Sequence, residues 1–159
     1  MLVLRPMTPG PIPIAIGGDH AGLPLKRVLQ QALAAAGHPL LDFGTNEAAS
    51  VDYPDFAHQV CLAVQEGRAR FGVLVCGSGI GMAIAANRHP GIRAAVLHDS
   101  TEARLTRAHN DANVAAFGAR LIGAEVAQDA LNTFLATAYE GGRHDRRLAK
   151  LAPPPKAGE

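Results

Sequence analysis

FGVLVCGSGIGMAIAAN, residues 71–87, is the stretch that decides how this chain is read. Residues 71–75 are a short, Val-rich apolar run of the kind that fills a parallel sheet buried on both faces, and the run ends in Cys76. Gly77, Gly79 and Gly81 alternate behind it, so the backbone can turn tightly and present several N–H groups at once. A helix of small residues over 80–87 is expected to open straight out of that loop and to add its positive N-terminal end. Strand, loop and helix together make a cradle for an anion, with a thiol facing it. A thiol at a strand's C-terminal end, opposite a helix N-terminus, sits where thiols become reactive. The competing reading is that the glycines serve helix packing and Cys76 is an ordinary core thiol.

Spacing separates this loop from similar anion-binding loops. A Walker A loop needs Lys and then Ser or Thr after its second glycine, and Gly81 is followed by Met82 and Ala83. A dinucleotide fingerprint counted from Gly77 and Gly79 needs its third glycine where Met82 stands. Asp99, about 20 residues farther on, keeps a Rossmann-type nucleotide-binding module as an alternative. A Cys-x5-Arg phosphatase loop also fails, because its Arg would fall on Met82.

Around this stretch, hydrophobic periodicity alternates between strand and helix about every 30 residues. Strands are expected over 12–17, 40–43, 71–75, 92–97 and 114–117. Helices are expected over 23–36, 53–66, 80–87, 101–109 and 125–138, with a short basic helix over 142–151. Repeated βα units predict an α/β fold, a Rossmann-like three-layer α/β/α sandwich with a five-stranded parallel sheet and right-handed crossovers. Ligands bind such sheets at the carboxyl ends of the strands. That rule is expected to gather Asp19 and His20, Cys76 with its glycines, His98 and Asp99, and the polar residues around His109 into one region.

Bulk properties narrow the function classes. A chain of 159 residues suits one domain, here residues 12–151. Residues 1–11, broken by prolines and without a signal-peptide core, are expected to be a flexible extension, and residues 152–159 a disordered tail. A net charge of +1 with 18% charged residues gives no basic face for nucleic acid, and 4% aromatics give no base-stacking platform. No apolar stretch approaches the roughly 20 residues of a membrane span. Cys61 and Cys76 make no disulfide framework and suit a reducing, cytoplasmic setting; Cys61, mid-helix among apolar neighbours, is expected to be inert core.

Other chemistry-bearing residues each carry two readings. Asp19-His20 follows the first strand directly: the pair either orients an imidazole toward a hydroxylated ligand, or Asp19 merely caps the next helix. His109-Asn110-Asp111-Ala112-Asn113 is dense in polar groups, and His109 is either a general acid–base group or an exposed residue at a capped helix end. Arg143 and Arg147, four apart, share a helix face that is either plainly solvated or able to grip one phosphate. Tyr53-Pro54 opens a helix near the strand ends and lines the expected pocket. His38, His58, His89 and His144 receive no role.

GGDHAG, DYPDFA, CGSGIGMAIAANR, RAHNDANVAAFGAR and YEGGRHDRR, in that order and spacing over about 12–151, resemble the type B ribose-5-phosphate isomerases. That sugar-phosphate isomerase family also includes the galactose-6-phosphate isomerase subunits. The resemblance implies a homodimer, or a dimer of dimers, whose active sites are shared between subunits. It also implies cofactor-free and metal-free interconversion of ribose 5-phosphate and ribulose 5-phosphate in pentose phosphate metabolism. Carried over by position, Cys76 is the base and His109 opens the sugar ring. Asp19 and His20 hold the sugar, and Gly77, Ser78, Gly79, Ile80 and Gly81 offer N–H groups to the enediolate. Asn110 and Arg120 add substrate contacts, and Arg143 and Arg147 clamp the phosphate. A subgroup of the family replaces the cysteine by a Glu just after the loop; Met82 occupies that place here, which leaves Cys76 as the base. An isomerase of a six-carbon sugar phosphate and a non-catalytic sugar-phosphate sensor are the remaining alternatives.

Overall fold

The computed structural model describes residues 10–153, 156 and 158. The extension expected over 1–11 and the tail expected over 152–159 therefore fall largely outside the described residues. Five strands and six helices follow in the order β1 Ile14–Gly18, α1 Leu23–Ala35, β2 Leu40–Asp42, α2 Tyr53–Gln65, β3 Phe71–Cys76, α3 Ile80–Ala86, β4 Ala94–Val96, α4 Ser100–Asn110, β5 Val114–Gly118, α5 Ala124–Ala136 and α6 Arg143–Ala149. All strand pairings are parallel, and the sheet order is β2-β1-β3-β5-β4.

Side-chain alternation along the central strands builds two cores. Ile14, Ile16, Phe71, Val73, Val75, Ala115 and Phe117 face the layer of α1, α4 and α5, where Leu29, Leu33, Leu131 and Phe134 meet them. Ala15, Leu74, Cys76, Val114 and Ala116 face α2 and α3, against Val60, Cys61, Met82 and Ala86. Strands buried on both faces are what the near-continuous apolar runs encode. Pro24 and Pro54 stand in the first turns of α1 and α2, where a missing N–H costs nothing.

Helix and strand boundaries depart from expectation by a few residues. The largest change is at the expected strand 92–97, of which only Ala94–Val96 pairs. Ile92 is drawn into a turn by its N–H to the His89 carbonyl, and the Arg93 N–H goes to Asn113 Oδ1 at 2.8 Å. Edge position and those two diversions shorten β4. Cys61 is fully buried, and burial pushes its thiol up to about 12.

Candidate active site

β3 carries Cys76 to the carboxyl edge of the sheet, with the thiol buried on the α2–α3 side. The chain then reverses. Gly79, at φ 78°, adopts the left-handed conformation that only glycine takes cheaply, and this turns its N–H back onto Cys76 Sγ at 3.0 Å. Among the described residues, the N–H groups of Gly77, Ser78 and Gly81 meet no protein acceptor, while Ile80 N–H donates to Ser78 Oγ at 3.3 Å. The loop is pinned to the end of β5: Ala119 N–H donates to the Cys76 carbonyl at 2.9 Å and Arg120 N–H to the Gly77 carbonyl at 3.0 Å. That second bond brings the Arg120 side chain over Gly77, whose would-be Cβ lies 3.5 Å from Arg120 Nε.

Three more expected residues come to this edge. Asp19 follows β1 and is buried; its Oδ1 accepts the Gly22 N–H at 2.9 Å and so closes the turn ahead of α1, whose N-cap is Gly22 itself, not Asp19. His20 Nδ1 accepts the Val51 N–H at 3.2 Å, which leaves Nε2 of the neutral ring as an N–H donor. Tyr53, first in α2, lays its ring on Gly81: a Cβ there would be 2.5 Å from Tyr53 Cζ. Glycine at 81 is therefore what admits the tyrosine.

Lys26 was invisible in the sequence as a site element. It is fully buried, with Nζ 2.9 Å from Asp42 Oδ1 and 3.2 Å from Asn46 Oδ1. It thereby ties down the segment after β2 that delivers Val51 to His20. Burial pushes the Asp42 carboxyl up, but hydrogen bonds from Lys26, Gln30 and the Gly44 N–H, with the Lys26 charge, hold it below its usual value. A lysine amid apolar helix positions, with an Asp ending the next strand and an Asn in the loop behind it, is the available signal.

His98 and Asp99 follow β4, but Asp99 Oδ1 accepts the Glu102 N–H at 2.8 Å and His98 pairs with Glu102. Asp99 is the N-cap of α4, so its ribose-binding role is replaced by a structural one.

The polar stretch around His109 is not at this edge, which corrects the expectation that strand topology gathers it with Cys76. Gly72, near the start of β3, donates to the Asn113 carbonyl at 2.9 Å, and Asn113 Oδ1 receives the Arg93 N–H before β4 begins. Residues 109–113 thus lie where strands start, and about 13 Å of β3 separates that end from Cys76. The rule holds for residues that follow a strand. His109 ends a helix that runs back antiparallel to β4, and it precedes β5.

This second cluster has its own architecture. His109 is half-buried and Asn110 exposed, and Asp111, at φ 44°, ends α4 while pairing with Arg93 and Arg107. α6 packs on α4 and presents Arg143 and Arg147, both exposed. Between them His144 is buried, its ring stacked on His109 with centroids 4.5 Å apart and planes at 17°. Desolvation, then the charges of Arg143, His109 and Arg147, lowers the His144 pKa against the opposing pull of Glu140. His109, Glu140 and His144 are the one group of potential metal ligands among the described residues. Near-parallel rings, however, direct their lone pairs side by side instead of converging on one ion.

Residues 14–151 match the family described as Ribose/Galactose Isomerase. The chain is 45% identical over 138 residues to ribose-5-phosphate isomerase B of Escherichia coli, covering 87% of this chain and 93% of that protein. It is 42% identical over 135 residues to ribose-5-P isomerase B of Listeria innocua, covering 85% and 91%. The crystal structure of a Thermotoga maritima ribose 5-phosphate isomerase superposes with a TM-score of 0.86 at 47% identity, over 88% of this chain and 97% of that one. The Trypanosoma brucei type B enzyme gives 0.86 at 44% identity, over 89% and 97%.

Proposed function

Because the chain belongs to the ribose/galactose isomerase family, we propose that it interconverts ribose 5-phosphate and ribulose 5-phosphate in sites completed by two copies of the chain. The observation that carries this reading is Cys76 Sγ held at 3.0 Å from the Gly79 N–H, at the head of a loop in which the N–H groups of Gly77, Ser78 and Gly81 meet no protein acceptor among the described residues.

An aldose–ketose isomerase removes a weakly acidic proton next to a carbonyl and stabilises the oxyanion that forms. Cys76 as thiolate takes the C2 proton of the open-chain aldose, and the electron pair moves through C1=C2 onto O1. The loop of Gly77, Ser78, Gly79, Ile80 and Gly81 faces that oxygen: the N–H groups of Gly77, Ser78 and Gly81 are the unengaged donors, and those of Gly79 and Ile80 join them on release from Cys76 Sγ and Ser78 Oγ. One such donor is typically worth on the order of 3 kcal/mol. The O2 proton passes to O1, Cys76 returns its proton to C1, and the ketose results. Before this, His109 gives a proton to the ring oxygen as the C1–O bond breaks, and the anomeric hydroxyl proton leaves to solvent. Asp19 and His20 hold the sugar hydroxyls, Tyr53 closes the pocket, Asn110 and Arg120 add contacts, and Arg143 with Arg147 clamps the phosphate. Phosphate binding energy keeps the open chain in place while the other end reacts. Every step uses side chains or backbone of the domain 12–151, so the reaction is assigned no metal and no organic cofactor.

The distance between the two clusters supports a homodimer. His109 and Cys76 of one chain stand at opposite ends of the sheet, so a shared active site needs His109, Asn110, Arg143 and Arg147 from a second copy. Beside the glycine loop, Ile80 and Ile84 are 54% and 56% exposed on α3 and line a groove with Ala83, Asn87, Arg88 and Val96. A second copy seated there covers this apolar face. Both cysteines are free, in keeping with a cytoplasmic enzyme. Among the described residues no helix is long and apolar enough to cross a membrane.

Turnover of purified protein on ribose 5-phosphate in the presence of a chelator, with allose 6-phosphate and galactose 6-phosphate run in parallel, tests the proposal. Preference for ribose 5-phosphate supports it. Preference for a six-carbon substrate keeps the mechanism and moves the substrate, and turnover of none of them removes the proposal.

A further inference from the structure

The helix-end cluster contains an anomaly. His144 is 4% exposed and its Nε2 has no hydrogen-bond partner. Buried polar atoms are ordinarily paired, so an orphan of this kind calls for a reason. What surrounds it is the His109 ring, stacked at 4.5 Å, and the Glu140 carboxylate, whose Oε2 lies 3.6 Å from His144 Nε2 and 3.8 Å from His109 Nε2. One carboxylate oxygen thus stands over the edges of both rings.

The backbone holds this arrangement in place. Glu140 N–H donates to the Ala108 carbonyl at 3.0 Å, one residue before His109, and Arg107 Nε reaches the Thr137 carbonyl at 3.3 Å. Segment 137–140 is therefore fastened to the last turn of α4 at two points. Gly141 and Gly142, at φ 65° and 60°, then swing the chain into α6 and bring His144 under His109. One turn delivers both the carboxylate and the ring. The charged groups around the pair are Arg107 on α4, committed to Asp111 and the Ala112 carbonyl; Arg143, Asp145 and Arg147 on α6; and Glu140 itself. Asp145 is occupied by the Tyr139 hydroxyl at 2.7 Å. Burial and the two arginines favour an uncharged His144, so a neutral surface lies beneath His109.

We infer that Glu140 and His144 are the positioning residues of His109: His144 fixes the plane of its ring, and Glu140 fixes the direction of its Nε2. An imidazole held on one face and at one edge meets the sugar's ring oxygen in a single orientation. This inference rests on His109 as the ring-opening acid.

The test separates ring opening from enolisation. Ribulose 5-phosphate cannot close a furanose, because its 5-oxygen carries the phosphate. Exchange of its C1 proton with solvent deuterium therefore needs Cys76 but no ring opening. In the dimeric enzyme, Glu140→Gln and His144→Ala are expected to lower kcat on ribose 5-phosphate by about 10-fold to 100-fold, the range set by an ångström-scale misplacement. Deuterium exchange into ribulose 5-phosphate stays near the unmodified rate. His144→Phe, which keeps a flat ring at the stack, restores turnover, and Glu140→Asp restores part of it. A damaged fold would depress exchange and turnover together, and that outcome overturns the inference, as does a Glu140→Gln enzyme with unchanged turnover. His109→Ala is the reference: if it does not itself separate the two activities, the reading of His109 fails and not the positioning.

Discussion

The two ends of the sheet, each assigned a share of the proposed site, are built from different materials. At the carboxyl end the proposed functional groups are backbone N–H groups and a buried thiol, fixed by a left-handed glycine at 79 and by a glycine at 81 where Tyr53 leaves no room for a side chain. At the amino end they are a half-buried imidazole and exposed amide and guanidinium groups, at the end of α4 and on α6. The difference follows from what each end has to do. Stabilising an enediolate needs donors already aimed at an oxygen, which a rigid loop between two central strands supplies. Gripping a phosphate and reaching a sugar ring needs long polar side chains that extend from one surface into another. The first end cannot be altered without touching the core, whereas the second can.

The largest expected effect breaks the comparison outright. Cys76→Ala and His109→Ala should each depress turnover by roughly 10²–10⁴-fold, the usual contribution of a positioned acid or base. If the two ends of one chain never meet, mixing the two inactive variants and letting subunits exchange restores activity. Random pairing makes about half of the dimers mixed, each with one intact site of two, so recovery approaches about a quarter of the unmodified rate. No recovery after verified exchange means that a single chain completes its own site, and the separation argued from β3 is then irrelevant to catalysis.

Next comes a difference in kind between substitutions at the two ends. Gly22→Ala drives a methyl group into the Val75 carbonyl beneath the Asp19 turn, and Gly81→Ala drives one into the Tyr53 ring. Overpacking of this sort costs about 1–3 kcal/mol. Thermal unfolding should show both losses, and Tyr53→Ala should relieve the second but not the first. Additive behaviour of Gly81→Ala with Tyr53→Ala would mean that the ring is not what fills the space. Arg143→Ala and Arg147→Ala should behave in the opposite way. Their side chains are exposed, so melting temperature stays put while KM rises about tenfold for each, in line with one charged hydrogen-bonded contact. A fall in kcat with unchanged KM would remove them from phosphate binding.

The carboxyl end was legible in the sequence because its signals are local. Cys76, three alternating glycines and a small-residue helix lie within one strand–loop–helix unit, and period and turn chemistry read that unit directly. The amino end was legible only as polar density. Nothing in HNDAN says whether it follows a strand or precedes one, and the strand-end rule does not reach a segment that precedes β5. Shortening β4 to three residues depends on Asn113 reaching back to Arg93, a contact between residues 20 apart that no local pattern carries. Lys26 and His144 are silent in the sequence for the same reason. A lysine and a histidine on amphipathic helices are ordinarily solvated, and only the assembled fold shows that Asp42, Asn46, Glu140 and His109 close over them.

The smallest effects distinguish the two ends by pH. His144 has its pKa lowered below the ordinary histidine value, first by desolvation and then by Arg143, His109 and Arg147. The unfolded chain therefore binds this proton more readily than the folded one, so stability is full above about pH 6.5 and declines as pH falls through that value. Asp42 is shifted in the same direction but with the opposite meaning. Its carboxylate is favoured in the folded state by the Lys26 clamp, so its contribution is full above the unfolded value near about pH 4 and is lost as pH falls through the lower folded value. Melting temperature followed from pH 7 downward should thus show a shallow first decline that His144→Phe reduces, the remainder belonging to His89, whose pKa desolvation and His58 also lower. A second decline, below about pH 4, should be flattened by Asp42→Asn. If His144→Phe instead changes only the lower decline, the burial assigned to that ring is wrong, and the amino end is as solvated as its sequence suggested.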